Sequence, residues 1–119
     1  MQVKDELGRW GEQRAVEHVR SLGYRVLDTN WRCRDGEIDA VALDGDCLVV
    51  VEVKTRRGVS AGHPCEAITY RKLATLRLLA ALWLRAHTVE AAGIRIDVIG
   101  IVARRGSSPE LTHIRGAHW

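Results

Sequence analysis

Hydrophobic and polar positions along the chain follow two periods, which predict two helices and five strands. Gly23 ends the first helical pattern, and Asp44-Gly45 between two apolar runs indicates a tight hairpin turn. Pro64 occupies the favoured first turn of the second helix. The predicted elements are a helix at 4–22, strands at 24–31, 36–43 and 47–55, a helix at 64–87, and strands at 94–102 and 111–119. This order, αβββαββ, predicts an α/β fold in which helices flank one central mixed sheet.

Two charged residues interrupt the most apolar of the predicted strands. The run CLVVVEVKT at 47–55 is nearly continuous in hydrophobic residues, which is typical of a central strand buried on both faces. Because side chains alternate between faces, Glu52 and Lys54 share one face. Charges there are costly unless they are paired, bound to a metal or directed into a cleft. A buried salt bridge and a functional site explain this pattern equally well.

The preceding strand brings further acids to the same face. A two-residue turn at Asp44-Gly45 places Asp39 opposite Val50, and the same register places Glu37 opposite Glu52. Asp39 then lies diagonal to Glu52, with Cβ atoms less than about 8 Å apart. A three-residue turn would reverse the faces unless a bulge intervened. Carboxylates gathered in this way favour a hard divalent cation such as Mg²⁺, which takes one or two of them and keeps several waters.

Each predicted helix carries a charged residue inside its apolar arc. At about 100° per residue, Glu12 falls within the arc of the first helix and Lys72 within that of the second. A long charged side chain can extend from the edge of such an arc to solvent, so Glu12 has an ordinary explanation, whereas Lys72 needs a partner or a cleft edge. His18, also inside the first arc, is expected to be a packed histidine. Leu78 and Leu82 form a second apolar face, which suits either a homodimer contact or burial under a loop.

Composition narrows the class of protein. The 119 residues suit one domain, 1–119, and 46% hydrophobic with 28% charged residues exclude a disordered or fibrous chain. The widely spaced Cys33, Cys47 and Cys65 include no close pair suited to zinc, so we expect them to be structural in a reducing, cytoplasmic compartment. The apolar run at 78–84 is too short to cross a bilayer, and the N-terminus lacks the apolar region of a signal peptide.

The formal net charge of +3 conceals an uneven distribution. Residues 35–52 carry six acidic residues and no Lys or Arg, whereas the other 101 residues carry 18 basic and nine acidic ones. We expect an acidic patch within a basic surround. Such a pattern suits a metal-dependent phosphodiesterase, which binds cations at its centre and phosphate at its rim.

These charged residues form the pattern E…D…ExK at Glu12, Asp39, Glu52 and Lys54. The segment GEIDAVALDGDCLVVVEVKTR resembles the core of the PD-(D/E)xK nuclease superfamily. More closely, the chain resembles the small YraN-type bacterial family, which is similar to archaeal Holliday-junction resolvases. The matching stretches, including GRWGEQRAVEHVRSLGYRVLDTNWR, VVVEVKTRRG and HIRGAHW, cover nearly the whole chain in order. The resemblance implies a restriction-endonuclease-like single domain.

The resemblance also implies a role for each residue of the pattern. Asp39 and Glu52, with the backbone carbonyl of Val53, would ligate Mg²⁺ or Mn²⁺. Lys54 would orient or deprotonate the attacking water and stabilise charge on the phosphate. Glu12 corresponds to the helix acid that many superfamily members use as an additional metal or water ligand. The chemistry agrees with these side chains, because a metal polarises a phosphodiester and lowers the pKa of bound water.

Basic residues near the motif are candidate nucleic-acid contacts. Arg34, Arg56 and Arg57 flank it and suit backbone phosphates, although solvated loop charge explains them equally well. Lys72 matches a helix lysine of the YraN-type pattern, and we place it with these candidates.

We therefore expect a metal-dependent endonuclease that hydrolyses phosphodiester bonds in structured or branched DNA, without a membrane partner. The alternative is a non-catalytic nucleic-acid-binding or interaction module of nuclease descent. The intact acids argue against a pure binder, because such a protein gains from replacing carboxylates that repel phosphate.

Overall fold

One five-stranded mixed sheet organises the computed structural model, which describes residues 5–118. In chain order the elements are α1 (Glu6–Ser21), β1 (Arg25–Cys33), β2 (Gly36–Asp44), β3 (Cys47–Arg56), a short 3-10 turn (Pro64–Ala67), α2 (Tyr70–Ala86), β4 (Gly93–Val102) and β5 (Glu110–Ile114). The strands lie side by side in sequence order, and only β3 and β4 are parallel. The predicted α/β fold with the order αβββαββ is confirmed, and the architecture is consistent with a restriction-endonuclease-like fold.

Helix α1 covers one face of the sheet. Asp5 caps its N-terminus by accepting a hydrogen bond from the Gly8 amide at 2.7 Å, and Gly23, with a φ of +91°, follows its C-terminus as predicted. Ala15 and Val19 bury the apolar side of the helix. They join a cluster of small and branched side chains from three strands: Ala40, Ala42, Val49, Val51, Ile99 and Ile101. The predicted start at Lys4 lies outside the described residues.

Helix α2 covers the opposite face and makes the crossover between the parallel strands β3 and β4. The predicted helix at 64–87 is wrong at its start, because Pro64 opens a 3-10 turn and the α-helix begins only at Tyr70. The Thr69 hydroxyl caps it, accepting from the Lys72 amide at 3.1 Å. Five hydrophobic residues of the predicted apolar arc are buried in the core: Leu73, Leu76, Leu79, Ala80 and Trp83. Of the second apolar face, Leu82 packs against this core and Leu78 is half exposed.

The hairpin between β2 and β3 differs from its predicted register. Asp44 pairs with Cys47, so the turn consists of Gly45 and Asp46, and Gly45 has the φ of +61° that such a turn requires. Val50 consequently faces Val41 instead of Asp39. The shift equals two residues, so the paired residues between 40 and 51 keep their predicted faces. Ile38 packs in the same core cluster as Val41, which shows that the alternation of faces is interrupted between them.

The last strand is shorter than predicted. The sequence pattern continued it to 119, but β5 ends at Ile114. Gly116 then takes a positive φ of +67°, and the Ala117 amide donates to the Ile96 carbonyl at 2.8 Å, which folds the chain back against β4. Trp119 lies outside the described residues.

Candidate active site

A cavity of about 830 Å³ opens where β2 and β3 emerge between the N-terminal ends of the two helices. Helix α1 and the sheet form one wall, and the 3-10 turn with the start of α2 forms the other. The cavity is lined by Asp5, Leu7, Gly8, Glu12, Glu37, Asp39, Glu52, Val53, Lys54, Thr55, Ala67, Ile68, Thr69 and Lys72. All four residues of the E…D…ExK pattern are therefore brought together by the fold.

Two nearly buried carboxylates form the floor of the cavity. Asp39 and Glu52 are each 8% exposed, and their side chains are hydrogen-bonded to each other. The other support for Asp39 comes from β3, where the Val53 amide donates to Oδ2 at 2.8 Å. The β2–β3 ladder ends at the pair Ala40 and Val51, so Asp39 and Glu52 are the next residues beyond it on their two strands.

Burial and the nearby Asp39 strongly shift the pKa of Glu52. Desolvation raises the pKa of Glu52 to about 8, with further increases from the hydrogen bond and the negative charge of Asp39. Lys72 acts in the opposite direction, because its ammonium lies 3.2 Å from Glu52 Oε2. Two carboxylates that compete for one proton are a donor set that a divalent cation would satisfy.

Lys72 belongs to this acidic pair rather than to the flanking arginines. Its capped position at the start of α2 directs the side chain across the cavity to Glu52. The salt-bridge explanation offered by the sequence is confirmed, because Glu52 forms an ion pair with Lys72. That ion pair lies inside a cavity, and a functional role for it stays a prediction. The Lys72 side chain is 42% exposed, so solvent and ligands reach it.

Lys54 and Glu12 complete the walls of the cavity. Lys54 lies two residues beyond Glu52 on β3 and is exposed. Glu12 projects from α1 and is partly buried. The neighbouring Gly11 explains why the helix lies so close to the strand, since a Cβ at this position would overlap the Thr55 hydroxyl.

The three arginines named from the sequence do not join this site. Arg34 is exposed in the turn between β1 and β2. The guanidinium of Arg56 donates to the Ala61 carbonyl at 2.9 Å and so stabilises the loop after β3. Arg57 lines a separate hollow with Arg104 and Arg105.

The predicted acidic patch is also only partly correct. Glu37, Asp39 and Glu52 line the cavity, but Asp44 lies at the opposite end of β2, where it binds Arg95 and Arg115 at 2.9 Å each. A count of charges along the chain does not distinguish the two ends of β2. It therefore assigns Asp44 to the same patch as Glu37 and Asp39, although they lie at opposite ends of the strand.

The donor set for a metal is small. Within residues 5–118, no group of three or more His, Cys, Asp or Glu side chains is arranged to hold a metal ion. Asp39 and Glu52 nevertheless fit Mg²⁺ or Mn²⁺, because hard cations of this kind bind through one or two carboxylates and fill their remaining positions with water and substrate oxygens. The Val53 carbonyl is a further candidate ligand from the same strand.

Sequence reasoning missed a third buried acid, Asp97 on β4, which is fully buried. It accepts hydrogen bonds from Arg95 Nε at 2.8 Å, His113 Nε2 at 2.7 Å and the Tyr24 hydroxyl at 3.0 Å. His18, expected to be a packed histidine, extends this network through a 3.1 Å hydrogen bond to His113. The signal was present in the run RIDVIGI, where an acid within an apolar strand calls for a partner as Glu52 does.

Comparison with known proteins identifies the family to which this arrangement belongs. The model of the Uncharacterised protein family UPF0102 matches residues 11–101, which include the whole E…D…ExK pattern. The chain belongs to the UPF0102 family. The YraN-type resemblance is thereby confirmed.

Curated relatives match this UPF0102 chain along nearly its full length. A UPF0102 protein of Renibacterium salmoninarum is 50% identical over 116 residues, which cover 98% of each chain. One from Paenarthrobacter aurescens is 49% identical over 116 residues, covering 98% of this chain and 96% of its own. One from Kineococcus radiotolerans is 50% identical over 117 residues, covering 98% of this chain and 96% of its own. Across residues 5–118, no helix is long and apolar enough to span a membrane.

Proposed function

We propose that this UPF0102 chain is a divalent-metal-dependent endonuclease of the PD-(D/E)xK type that acts on structured or branched DNA. The observation that carries the proposal is the close pair of buried carboxylates, Asp39 and Glu52, in one open cavity with Lys54. The preference for branched DNA rests on the resemblance to archaeal Holliday-junction resolvases.

Each side chain has a task in phosphodiester hydrolysis. Asp39 and Glu52 would hold Mg²⁺ or Mn²⁺, which would supply Lewis-acid activation of the phosphate and of a bound water. Lys54, exposed at the mouth of the cavity, is placed to orient the attacking water and to balance the negative charge that develops on the phosphate. Glu12 lines the same space from α1 and would accept a hydrogen bond from a water or bind the metal there.

Lys72 has a double role in this proposal. Without a metal its ammonium neutralises Glu52 at 3.2 Å, which reduces the cost of holding two carboxylates together. A cation held by the same carboxylate would replace that charge, and Lys72 would then be available as a donor for a phosphate oxygen at the wall of the cavity.

Cleavage assays on a panel of DNA structures test the proposal. End-labelled four-way junction, forked, duplex and single-stranded substrates should be incubated with Mg²⁺ or Mn²⁺. We expect wild-type cleavage to disappear in Asp39→Ala and to fall about 10²- to 10⁴-fold in Lys54→Ala. Asp46→Ala, which removes an exposed acid from the β2–β3 turn, is the matched control and should retain full activity. Folded wild-type protein that cuts no substrate with either ion would refute the proposal.

The second candidate function is a nucleic-acid-binding module without catalysis. The Lys72–Glu52 salt bridge favours it, because an acid already neutralised by a lysine needs no metal. This candidate predicts DNA binding that EDTA leaves unchanged and no turnover. Calorimetry that detects Mn²⁺ binding to wild type but not to Asp39→Ala would contradict it.

A further inference from the structure

A second groove, of about 590 Å³, opens beside the acidic pair between α1 and β1. It shares Glu12 and Asp39 with the larger cavity, so the two spaces meet at the carboxylates. The other groove residues are predominantly polar: Arg9, Gln13, Val16, Glu17, Arg20, Thr29 and Asn30. None of them belongs to the E…D…ExK pattern.

One wall of the groove is a straight polar stripe on α1. Arg9, Gln13, Glu17 and Arg20 are separated by four, four and three residues, which places them on a single face of the helix. At a rise of about 1.5 Å per residue, the two arginines lie about 16 Å apart along the helix axis. The guanidinium groups of Arg9 and Arg20 therefore lie towards the two ends of the groove, and the side-chain amide of Gln13 lies between them.

The opposite wall contains an unusual backbone feature. Asn30 has a φ of +53° and is the one non-glycine residue with positive φ in the part of the chain that the structure describes. Thr29 pairs with Ala40 and Trp31 with Ile38, but the pair between them, Asn30 and Asp39, is absent from the ladder. Strained residues of this kind are concentrated at functional sites, and this one lines the groove beside Asp39.

We propose that this groove binds the sugar–phosphate backbone of the nucleic-acid strand that leaves the acidic pair. Arg9 and Arg20 contact phosphates, and Gln13, Thr29 and Asn30 hydrogen-bond to sugar and phosphate oxygens. The axial distance between the arginines exceeds one nucleotide step, so they contact different phosphates of the strand. The inference rests on the proposed function, because it takes the carboxylates as the point at which the strand is cut.

The polar stripe also contains an acidic residue, and replacing it should change the affinity for DNA in the opposite direction from replacing the arginines. Glu17 lies between Gln13 and Arg20 and repels a phosphate backbone in the groove. Glu17→Gln should therefore tighten binding, whereas the double variant Arg9→Gln/Arg20→Gln should weaken it. The control Arg77→Gln/Arg85→Gln removes the same charge from exposed positions on α2 outside both cavities.

Fluorescence anisotropy with a labelled four-way junction in EDTA measures these effects without cleavage. We expect about tenfold weaker binding for each groove arginine removed. The slope of log affinity against log salt should fall by about two for the groove pair and by less than one for the control pair. A Tm of the double arginine variant equal to that of wild type shows that its loss of binding does not come from misfolding, and tighter binding by Glu17→Gln shows that the effect follows the sign of the charge.

The outcomes separate this inference from the proposed function. If wild type cuts DNA but the groove and control variants bind alike, the groove assignment is wrong and the nuclease proposal stands. If wild type cuts nothing but only the groove variants change binding, the nuclease proposal is wrong and the groove is a nucleic-acid-binding site without a cleavage point. Wild-type protein that does not bind the junction overturns the groove assignment.

Discussion

The sheet buries acids in two places, and the two environments have opposite effects on them. Burial alone would raise the pKa of Asp97, but hydrogen bonds from Arg95, His113, the Gly116 amide and Tyr24 outweigh it and hold that pKa below its usual value. Asp97 is wholly buried and surrounded by donors from β4, β5 and the segment after α1. Its charge is compensated within the protein.

The acidic pair in the cavity is different. Burial, the hydrogen bond to Asp39 and the charge of Asp39 raise the pKa of Glu52 to about 8, although Lys72 opposes them. One cluster joins an acid to several donors, whereas the other joins two acids and faces open space. The comparison teaches that burial alone does not mark a functional acid. The distinguishing feature is whether hydrogen-bond donors and basic groups of the protein fully compensate the negative charge of the acid.

The largest expected effect tests this difference through folding stability. Asp97→Asn should lower the free energy of unfolding by about 3 kcal/mol, because it leaves Arg95 and its other donors without their shared charge. Asp39→Asn should leave stability unchanged or increase it, since it removes a like charge from beside Glu52. Urea denaturation of both variants in EDTA measures the two values.

The comparison requires that wild type and both variants have the same m-value, the slope of unfolding free energy against urea concentration. A changed slope would indicate that a variant exposes a different amount of surface on unfolding. Asp46→Asn, in the exposed turn, serves as the control for loss of one negative charge. Equal destabilisation by Asp97→Asn and Asp39→Asn would mean that both acids are structural.

The cavity acids illustrate how far the sequence carries a prediction. Alternation along β2 and β3 placed Asp39 and Glu52 on one face, because the face depends only on whether a register shift is even or odd. The turn began one residue later than predicted, with Asp44 closing the ladder against Cys47. Register needs that turn geometry, which the dipeptide Asp44-Gly45 did not specify.

Long-range partners were beyond the reach of the sequence. Lys72 could be recognised as out of place in its helix, but its contact with Glu52 depends on where Thr69 starts α2. The Asp97 network joins residues up to 95 positions apart in the chain, as between His18 and His113. Such partners depend on the order of strands in the sheet. Periodicity along a single segment carries no information about that order.

The second expected effect comes from adding a cation. Mn²⁺ at about 100 times its Kd should stabilise wild type by about 2.7 kcal/mol, a rise in Tm of roughly 10 °C for a domain of this size. Asp39→Asn should lose this stabilisation, and Glu12→Gln should lose less of it than Asp39→Asn does. Thermal unfolding with and without Mn²⁺ provides the measurement, and Asp46→Asn should respond as wild type does.

Two results would overturn this expectation. An equal loss in Glu12→Gln and Asp39→Asn would make Glu12 a direct ligand, contrary to the two-carboxylate site. A rise in Tm that persists in Asp39→Asn would place the cation elsewhere in the molecule.

The smallest expected effect concerns pH and the Asp97 cluster. Burial, followed by the charge of the neighbouring His113, lowers the pKa of His18 below 6.5 in the folded protein. The unfolded chain therefore takes up a proton on His18 first as the pH falls through 6.5, and stability declines below that pH. His18→Gln should remove this part of the decline and leave the rest of the pH dependence unchanged. Urea denaturation of both proteins between pH 8 and pH 5 should show a difference in stability that narrows on acidification. A constant difference would show that His18 contributes packing and hydrogen bonding but no proton linkage, leaving charge compensation in the cluster to Arg95 and His113.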